Sequence, residues 1–108
     1  MSFKIVYTSS FEKELKKLSS KYPSIKSDFK TLLLSLQENP EQGKALGNNC
    51  FKLRMAITSK GRGKSGGARI ITCIKIIDEV IFLISIYDKS DRGSITDKEI
   101  RNRLKPYL

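Results

Sequence analysis

The sequence contains no histidine, and this absence limits the chemistry that the protein can perform. Histidine general acid–base catalysis is excluded, so proton transfers must use Lys, Tyr, Asp, Glu or a group of the substrate. Because Cys-x-x-Cys pairs are also missing, a zinc site would have to be built from scattered carboxylates. We therefore expect a protein that needs no metal ion and no other cofactor.

Cysteine and long apolar runs are also scarce. The two cysteines, Cys50 and Cys73, are too few for a disulfide framework and lie in or beside apolar runs, which favours reduced core thiols over a disulfide. No apolar run approaches the roughly 18 residues of a membrane span, and residues Met1 to Thr8 lack the apolar region of a signal peptide. We expect a cytoplasmic protein without membrane contact.

Acidic residues are few relative to basic ones. Lys and Arg number 21 against 11 Asp and Glu, which gives a formal net charge of +10. Such an excess favours a polyanionic partner: RNA, DNA, an anionic membrane surface or an acidic protein. The 108 residues, 39% of them apolar and 30% charged, are typical of a soluble domain, and we expect residues 1–108 to form a single one.

The hydrophobic pattern of the first half predicts one strand and two helices. Apolar residues alternate from Phe3 to Tyr7, as in a short strand. A helical stripe follows, and Ser9 with Glu12 has the spacing of a capping box at its start. Ser24 is the expected cap of the second helix, and Glu41 to Asn49, rich in Gly and Asn, is expected to be a loop.

The second half predicts three strands and a short helix. Phe51 to Thr58 alternates, whereas Ala68 to Ile77 and Val80 to Tyr87 are nearly continuous apolar runs, typical of central strands covered on both faces. Thr96 and Glu99 form a capping box for the last helix. The predicted order is β-α-α-β-β-β-α: an α+β fold with a helical hairpin on a small, mainly antiparallel sheet and a short C-terminal helix.

No acidic residue lies between Glu41 and Asp78, and this acid-free stretch contains eight basic residues: Lys44, Lys52, Arg54, Lys60, Arg62, Lys64, Arg69 and Lys75. Lys52 and Arg54 are two apart and share one face of their strand. Arg69 lies in an apolar strand, where a guanidinium is costly unless it meets an anion, either a bound phosphate or a protein carboxylate. We interpret the stretch as a phosphate-contacting surface, in which Lys44 and Lys75 are plain surface charge.

Two further segments carry candidate residues. Tyr87 and Lys89 share the strand face opposite to Asp88, so that Tyr87 is a candidate base or base-stacking platform, or an ordinary sheet aromatic. The segment around Lys60, Arg62 and Lys64 alternates cations with glycine and is interpreted as an RNA-binding clamp. It is not a P-loop, because the first glycine of that motif is absent and a strand follows.

Three segments carry a family resemblance: Phe51-Lys52-Leu53-Arg54, Gly67-Ala68-Arg69-Ile70-Ile71, and Phe82 to Lys89. In this order they resemble the RelE/HigB branch of the RelE/ParE superfamily, the toxins of type II toxin–antitoxin systems. The resemblance covers nearly the whole chain. It implies a RelE-like fold, a ribosome-dependent mRNA interferase that inhibits translation, and a cognate antitoxin that silences it in a hetero-oligomeric complex.

The resemblance also implies site residues. Lys52 and Arg54 match the basic pair, Arg69 the strand arginine, and Lys89 the basic residue after the last strand. RelE members carry a further tyrosine beyond that position, but residues 90–95 contain none. The general base is therefore either Lys52 or Tyr87. Crowding by Arg54 and Arg69 is expected to lower the pKa of Lys52.

Cleavage would proceed by attack of the RNA 2′-OH on the neighbouring phosphate, so the protein itself need supply no nucleophile and no metal. Two alternatives stay open. A ParE-like toxin would poison DNA gyrase, although such chains tend to lack the basic set found here. A non-catalytic RNA- or DNA-binding protein would bind in a salt-dependent manner without cutting.

Overall fold

The computed structural model describes residues 3–61, 63 and 66–108. In this part of the chain there are five strands and three helices, with 3₁₀ turns at Thr58–Lys60 and Lys105–Tyr107. In chain order the strands and helices are β1 (Lys4–Tyr7), α1 (Ser9–Lys21), α2 (Ile25–Glu38), β2 (Lys44–Gly47), β3 (Cys50–Met55), β4 (Ala68–Lys75), β5 (Val80–Asp88) and α3 (Asp97–Leu104). The predicted α+β class is confirmed.

The strands form one sheet in the order β1-β5-β4-β3-β2. β1 is parallel to β5, and all other neighbours are antiparallel. β4 and β5 are inner strands and almost entirely buried, as their continuous apolar runs predicted. The hairpin of α1 and α2 covers one face of the sheet, where Phe11 and Leu36 pack with Ile70 and Leu83. We call this the hairpin face.

The opposite face, the α3 face, is only partly covered. Ile100 of α3 packs there with Ile71, Phe82 and Ile84. Because α3 has only eight residues, it covers one end of this face and leaves the other end to the polar side chains described below. No helix within the described residues is long and apolar enough to cross a membrane.

The starts of α2 and α3 agree with the predictions, although Ser24, at the N-cap position of α2, makes no capping hydrogen bond; the start of α1 differs. Thr8, not Ser9, is the N-cap: its hydroxyl accepts a hydrogen bond from the Phe11 amide and donates one to the Leu83 carbonyl oxygen at 2.7 Å. Thr8 is the better cap because the same hydroxyl also ties the helix to β5. The capping box of Thr96 and Glu99 at α3 is confirmed.

The expected loop from Glu41 to Asn49 was wrong in part, because it contains strand β2. Lys44 pairs with Lys52 of β3, and Asn48 and Asn49 both have positive φ, of 53° and 60°. Asn tolerates this left-handed conformation, which suits the tight turn of a β-hairpin. Four residues with a single apolar side chain that is partly buried give no periodic signal from which a strand could be predicted.

The prediction of reduced thiols was also wrong. Cys50 and Cys73 are buried, as expected of core positions, but the structure joins them in a disulfide. The reason is the register of β3 and β4, which places the two residues directly opposite each other with their Cα atoms 4.0 Å apart. Neither the local apolar character nor the spacing of 23 residues could indicate that register.

Strand β5 contains a bulge that decides which side chains reach the α3 face. Ile71 pairs with Ser85, but the next residue, Thr72, pairs with Leu83, so that β5 has one extra residue at this point. The alternation of side chains therefore shifts by one position. As a result Phe82 and Tyr87, although five residues apart, pack in the same cluster on the α3 face.

Candidate active site

Arg54, Arg69 and Tyr87 form a row across three neighbouring strands. Arg54 of β3 lies directly opposite Arg69 of β4, which in turn lies directly opposite Tyr87 of β5. Directly opposite residues project from the same face of a sheet, here the α3 face. Lys52 is two residues before Arg54 on β3 and shares this face.

The residues of the row differ in exposure. Arg69 is buried at 4% exposure, and one terminal nitrogen of its guanidinium donates a hydrogen bond to the Ala68 carbonyl oxygen at 3.1 Å. Arg54 is exposed and Lys52 is partly buried. An open cavity of about 350 Å³ lies beside Lys52 and Arg54 and is also lined by Gln42 and Lys44. A ligand from solvent can therefore reach Lys52 and Arg54 through this cavity.

The electrostatic environment lowers the pKa of Lys52. The largest cause is partial burial, and the positive charges of Arg69, Lys44, Lys89 and Arg54 act in the same direction. Charge crowding by the two arginines was predicted, but the contributions of burial and of Lys44 were not. Lys44 was given no role from sequence, because it precedes the paired region; β2 brings it opposite Lys52.

Lys89 follows β5 and is exposed. Its backbone amide donates to the Gly67 carbonyl oxygen at 3.1 Å, which extends the pairing of β4 and β5 beyond their last residues. Its charge contributes to the lowered pKa of Lys52, so the structure brings the four predicted cations within electrostatic range. We call Lys52, Arg54, Arg69 and Lys89 the basic cluster.

Tyr87 is buried at 5% exposure within the apolar cluster of the α3 face. Burial raises the pKa of its phenol despite the opposing effect of Arg92 and Arg69, and the hydroxyl has no hydrogen-bond partner within the described residues. The Arg92 guanidinium lies 5.5 Å from the centre of the Tyr87 ring. Arg92 is held there by the Ser94 carbonyl oxygen and the Glu99 carboxylate, and sequence reasoning missed it.

The predicted RNA clamp is placed only in part. Arg62 and Lys64 lie outside the described residues. The ammonium of Lys60 points away from the basic cluster and forms an ion pair with Asp88 at 2.9 Å. The hydrogen bond to Asp88 raises the pKa of Lys60, and the hydroxyl of Tyr22 acts in the same direction. The pairing favours a structural role for Lys60 over direct RNA contact.

The arrangement suits a phosphodiester better than a metal ion. Within residues 3–61, 63 and 66–108, no three His, Cys, Asp or Glu side chains lie close enough to hold a metal. A buried guanidinium, an exposed guanidinium and a lysine of lowered pKa on one face can bind phosphate oxygens and exchange a proton. The fold and this face define a small α+β protein with a cationic site on its sheet.

The comparisons with known proteins give the family. The model of the RelE toxin of the RelE / RelB toxin–antitoxin system matches residues 3–105, and the chain belongs to this RelE family of toxins. The resemblance found in the sequence is thereby confirmed. No curated protein sequence matches the chain.

Solved structures show the same fold at low sequence identity. A double mutant of the E. coli toxin RelE in the free state has a TM-score of 0.66 at 21% identity, with 100% of both chains covered. The isolated E. coli RelE toxin has a TM-score of 0.63 at 20% identity, covering 99% of this chain and all of that one. The RelBE2 toxin–antitoxin complex of Mycobacterium tuberculosis contains a chain with a TM-score of 0.59 at 15% identity, covering 82% of this chain and 99% of that one.

Proposed function

We propose that this RelE-family toxin is a metal-independent endoribonuclease, an mRNA interferase that cleaves mRNA on the ribosome and so inhibits translation in the cytoplasm. The observation that carries the proposal is the row of Arg54, Arg69 and Tyr87 with Lys52 beside it. The row offers two guanidinium groups for the charge of a scissile phosphate. Lys52 adds a proton acceptor on the same face.

Lys52 is the better candidate for the general base. Its lowered pKa makes the neutral amine more accessible near neutral pH, and a neutral amine can take the proton of the RNA 2′-OH. Tyr87 fits this role less well, because burial raises the pKa of its phenol and makes the phenolate harder to form. We therefore assign Lys52 as base and Tyr87 as a wall of the site.

The remaining cations of the basic cluster would stabilise charge. The 2′-oxygen attacks the phosphorus, the bond to the 5′-oxygen breaks, and a 2′,3′-cyclic phosphate forms. Arg69 would bind two phosphate oxygens while extra negative charge develops on them. Arg54 would stabilise the charge on the departing 5′-oxygen, and Lys89 would stabilise or protonate it. The protein supplies no nucleophile, so the rate depends on the alignment of the 2′-oxygen with the scissile phosphate. The ribosome would provide this alignment.

Partners follow from the same proposal. Arg62 and Lys64 would contact the backbone of messenger or ribosomal RNA, an interaction screened by salt. A cognate antitoxin would hold the toxin inactive in a hetero-oligomeric complex, as the name of the M. tuberculosis RelBE2 complex indicates for that protein. Acidic segments that fold on binding suit a chain of net charge +10.

The test is mRNA cleavage in a bacterial translation extract. Lys52→Ala and Arg69→Ala, one at a time, are each expected to abolish cleavage that the wild-type toxin produces. Lys75→Ala is the matched control, since Lys75 is an exposed lysine at the far end of β4, paired with Asp78. Undiminished cleavage by both site variants would refute the assignment. Inhibition of DNA supercoiling without mRNA cleavage would favour a gyrase poison. Salt-dependent binding of RNA or DNA without either activity would favour a non-catalytic binding protein.

A further inference from the structure

Asp88 lies at the centre of a hydrogen-bonded group on the hairpin face, on the opposite side of β5 from Tyr87. Its side chain is fully buried. Its carboxylate accepts hydrogen bonds from the Lys60 ammonium at 2.9 and 3.0 Å, the Tyr22 hydroxyl at 2.6 Å, and the Ser90 amide and hydroxyl at 3.0 and 2.8 Å. We call these four residues the Asp88 network.

The Asp88 network joins three segments that are distant in sequence. Tyr22 is the C-cap of α1 and the first residue of the corner before α2, Lys60 belongs to the turn after β3, and Ser90 follows β5. The Lys60 ammonium also donates to the Ser90 hydroxyl at 3.1 Å and lies 5.5 Å from the centre of the Tyr22 ring. Every segment is therefore held by at least two contacts.

The network is adjacent to the basic cluster, although it faces the other way. Lys89 lies between Asp88 and Ser90, so the hydrogen bonds of Ser90 to Asp88 fix the chain on either side of Lys89. The Asp91 amide also donates to the Asp88 carbonyl oxygen at 2.9 Å, which closes the turn. Lys60 in turn holds the start of the connection that leads to Arg69.

We propose that Lys60 and Asp88 are a positioning pair for RNA cleavage: their partly buried ion pair fixes Lys89 and the turn at Thr58–Lys60 relative to Lys52 and Arg69. The proposal rests on the proposed endoribonuclease function and deepens it. Neither residue touches the RNA. Their side chains act from the hairpin face, through the backbone of the strand end, on cations that project from the α3 face.

The physical reason is the sensitivity of phosphoryl chemistry to alignment. Displacement of a reacting or charge-stabilising group by about 1 Å can slow a reaction by roughly two orders of magnitude. Lys89 is the first residue beyond β5, and residues in connecting segments are more mobile than the strands unless they are held. A buried carboxylate with donors from three segments provides such a constraint, because breaking one contact leaves a charge poorly compensated.

Lys60→Met tests the pair in ribosome-bound mRNA cleavage under single-turnover conditions. We expect the rate at saturation to fall about tenfold, consistent with a small displacement of one cation, with less than about a twofold change in the half-saturating toxin concentration. Tyr22→Phe, which removes one hydrogen bond and no charge, is expected to lower the same rate by a smaller factor. Lys75→Met removes the same charge from an exposed ion pair and should change neither parameter.

Two results would overturn the proposal in this assay. An unchanged saturating rate for Lys60→Met would make the pair merely structural. A loss confined to the half-saturating concentration and enhanced by salt would make Lys60 a direct RNA contact. In the double variant Lys60→Met/Asp88→Asn, a positioning pair predicts a rate close to the slower single variant, whereas independent roles predict multiplied losses.

Hydrogen exchange at the Lys89 amide provides a readout that needs no cleavage. That amide is hydrogen-bonded to the Gly67 carbonyl oxygen. We expect its exchange to be about tenfold faster in Lys60→Met than in the wild type and in Lys75→Met, because the strand end opens more often. Equal exchange in all three would overturn the positioning role. A wild-type toxin that cuts no mRNA would refute the endoribonuclease function, while the exchange result would still decide whether the pair fixes the strand end.

Discussion

Arg54 and Arg69 lie directly opposite each other on neighbouring antiparallel strands, with both side chains on the α3 face. Like charges at directly opposite positions destabilise a sheet. A phosphate bound between them would convert this repulsion into attraction. We interpret the placement as a surface adapted to bind an anion rather than to stabilise the fold, so stability and activity should respond differently to its removal.

The first prediction concerns Arg54→Met, which keeps the length of the side chain and removes its charge. We expect the free energy of unfolding to rise by about 0.5 kcal/mol, because one like-charge pair is relieved, while mRNA cleavage falls. Urea denaturation and the translation-extract assay measure the two effects. Lys75→Met, which instead breaks an attractive exposed pair, should not increase stability. A less stable Arg54→Met protein would contradict the interpretation.

The second prediction is a pH dependence of cleavage set by Lys52. Its pKa is below the usual lysine value of 10.5. A base acts in its deprotonated form, so the logarithm of the single-turnover rate should rise with pH and level off as the pH passes the lowered pKa of Lys52. Lys52→Arg keeps the charge but cannot lose a proton, and its profile should lack this rise. An identical profile in both proteins would exclude Lys52 as the base.

The third prediction is a pH dependence of stability set by Asp88. Burial by itself raises the pKa of this carboxyl, but hydrogen bonds from Tyr22, Lys60 and Ser90 outweigh it and lower the pKa far below the ordinary 3.8. Its contribution to stability is then complete above 3.8 and lost as the pH falls through the folded-state pKa. In Asp88→Asn the free energy of unfolding should be lower at pH 7, and the difference from wild type should narrow on acidification. A difference independent of pH would contradict this.

The fourth prediction concerns Gly67, which precedes the strand that carries Arg69. A Cβ atom at this position would overlap the carbonyl oxygen of Met55 and crowd the amide of Ile57 at 3.1 Å. Gly67→Ala should therefore cost about 1–3 kcal/mol of unfolding free energy and reduce cleavage, since the Gly67 carbonyl also holds the Lys89 amide. Gly93→Ala, where nothing lies within 4 Å, is the control and should leave the thermal midpoint unchanged.

Local signals were sufficient for part of the fold. Thr96 and Glu99 are three residues apart, so the capping box that begins α3 could be predicted from the sequence. The buried strands β4 and β5 could be predicted from their continuous apolar runs. β2 could not be predicted in this way, because its pairing depends on the turn at Asn48 and Asn49 and on β3 rather than on its own composition.

The site was predictable in its residue types but not in its geometry. The absence of acidic residues pointed to Lys52, Arg54 and Arg69, yet only the strand register places the two arginines opposite each other. The pairing of Lys60 with Asp88 spans 28 residues and has no local signal, so Lys60 was assigned to RNA contact. Long-range registers and buried pairs arise from packing, which a single sequence does not display.

The bulge in β5 also constrains how this protein and its relatives can change over evolution. Without the bulge, the same residues in regular alternation would turn Tyr87 towards the helical hairpin and Asp88 towards the basic cluster. A carboxylate would then lie among the cations that we propose to bind phosphate. We therefore expect relatives that share this site to keep the extra residue and the bulge, or to lose both together, and to place their other insertions and deletions in the connection between β3 and β4.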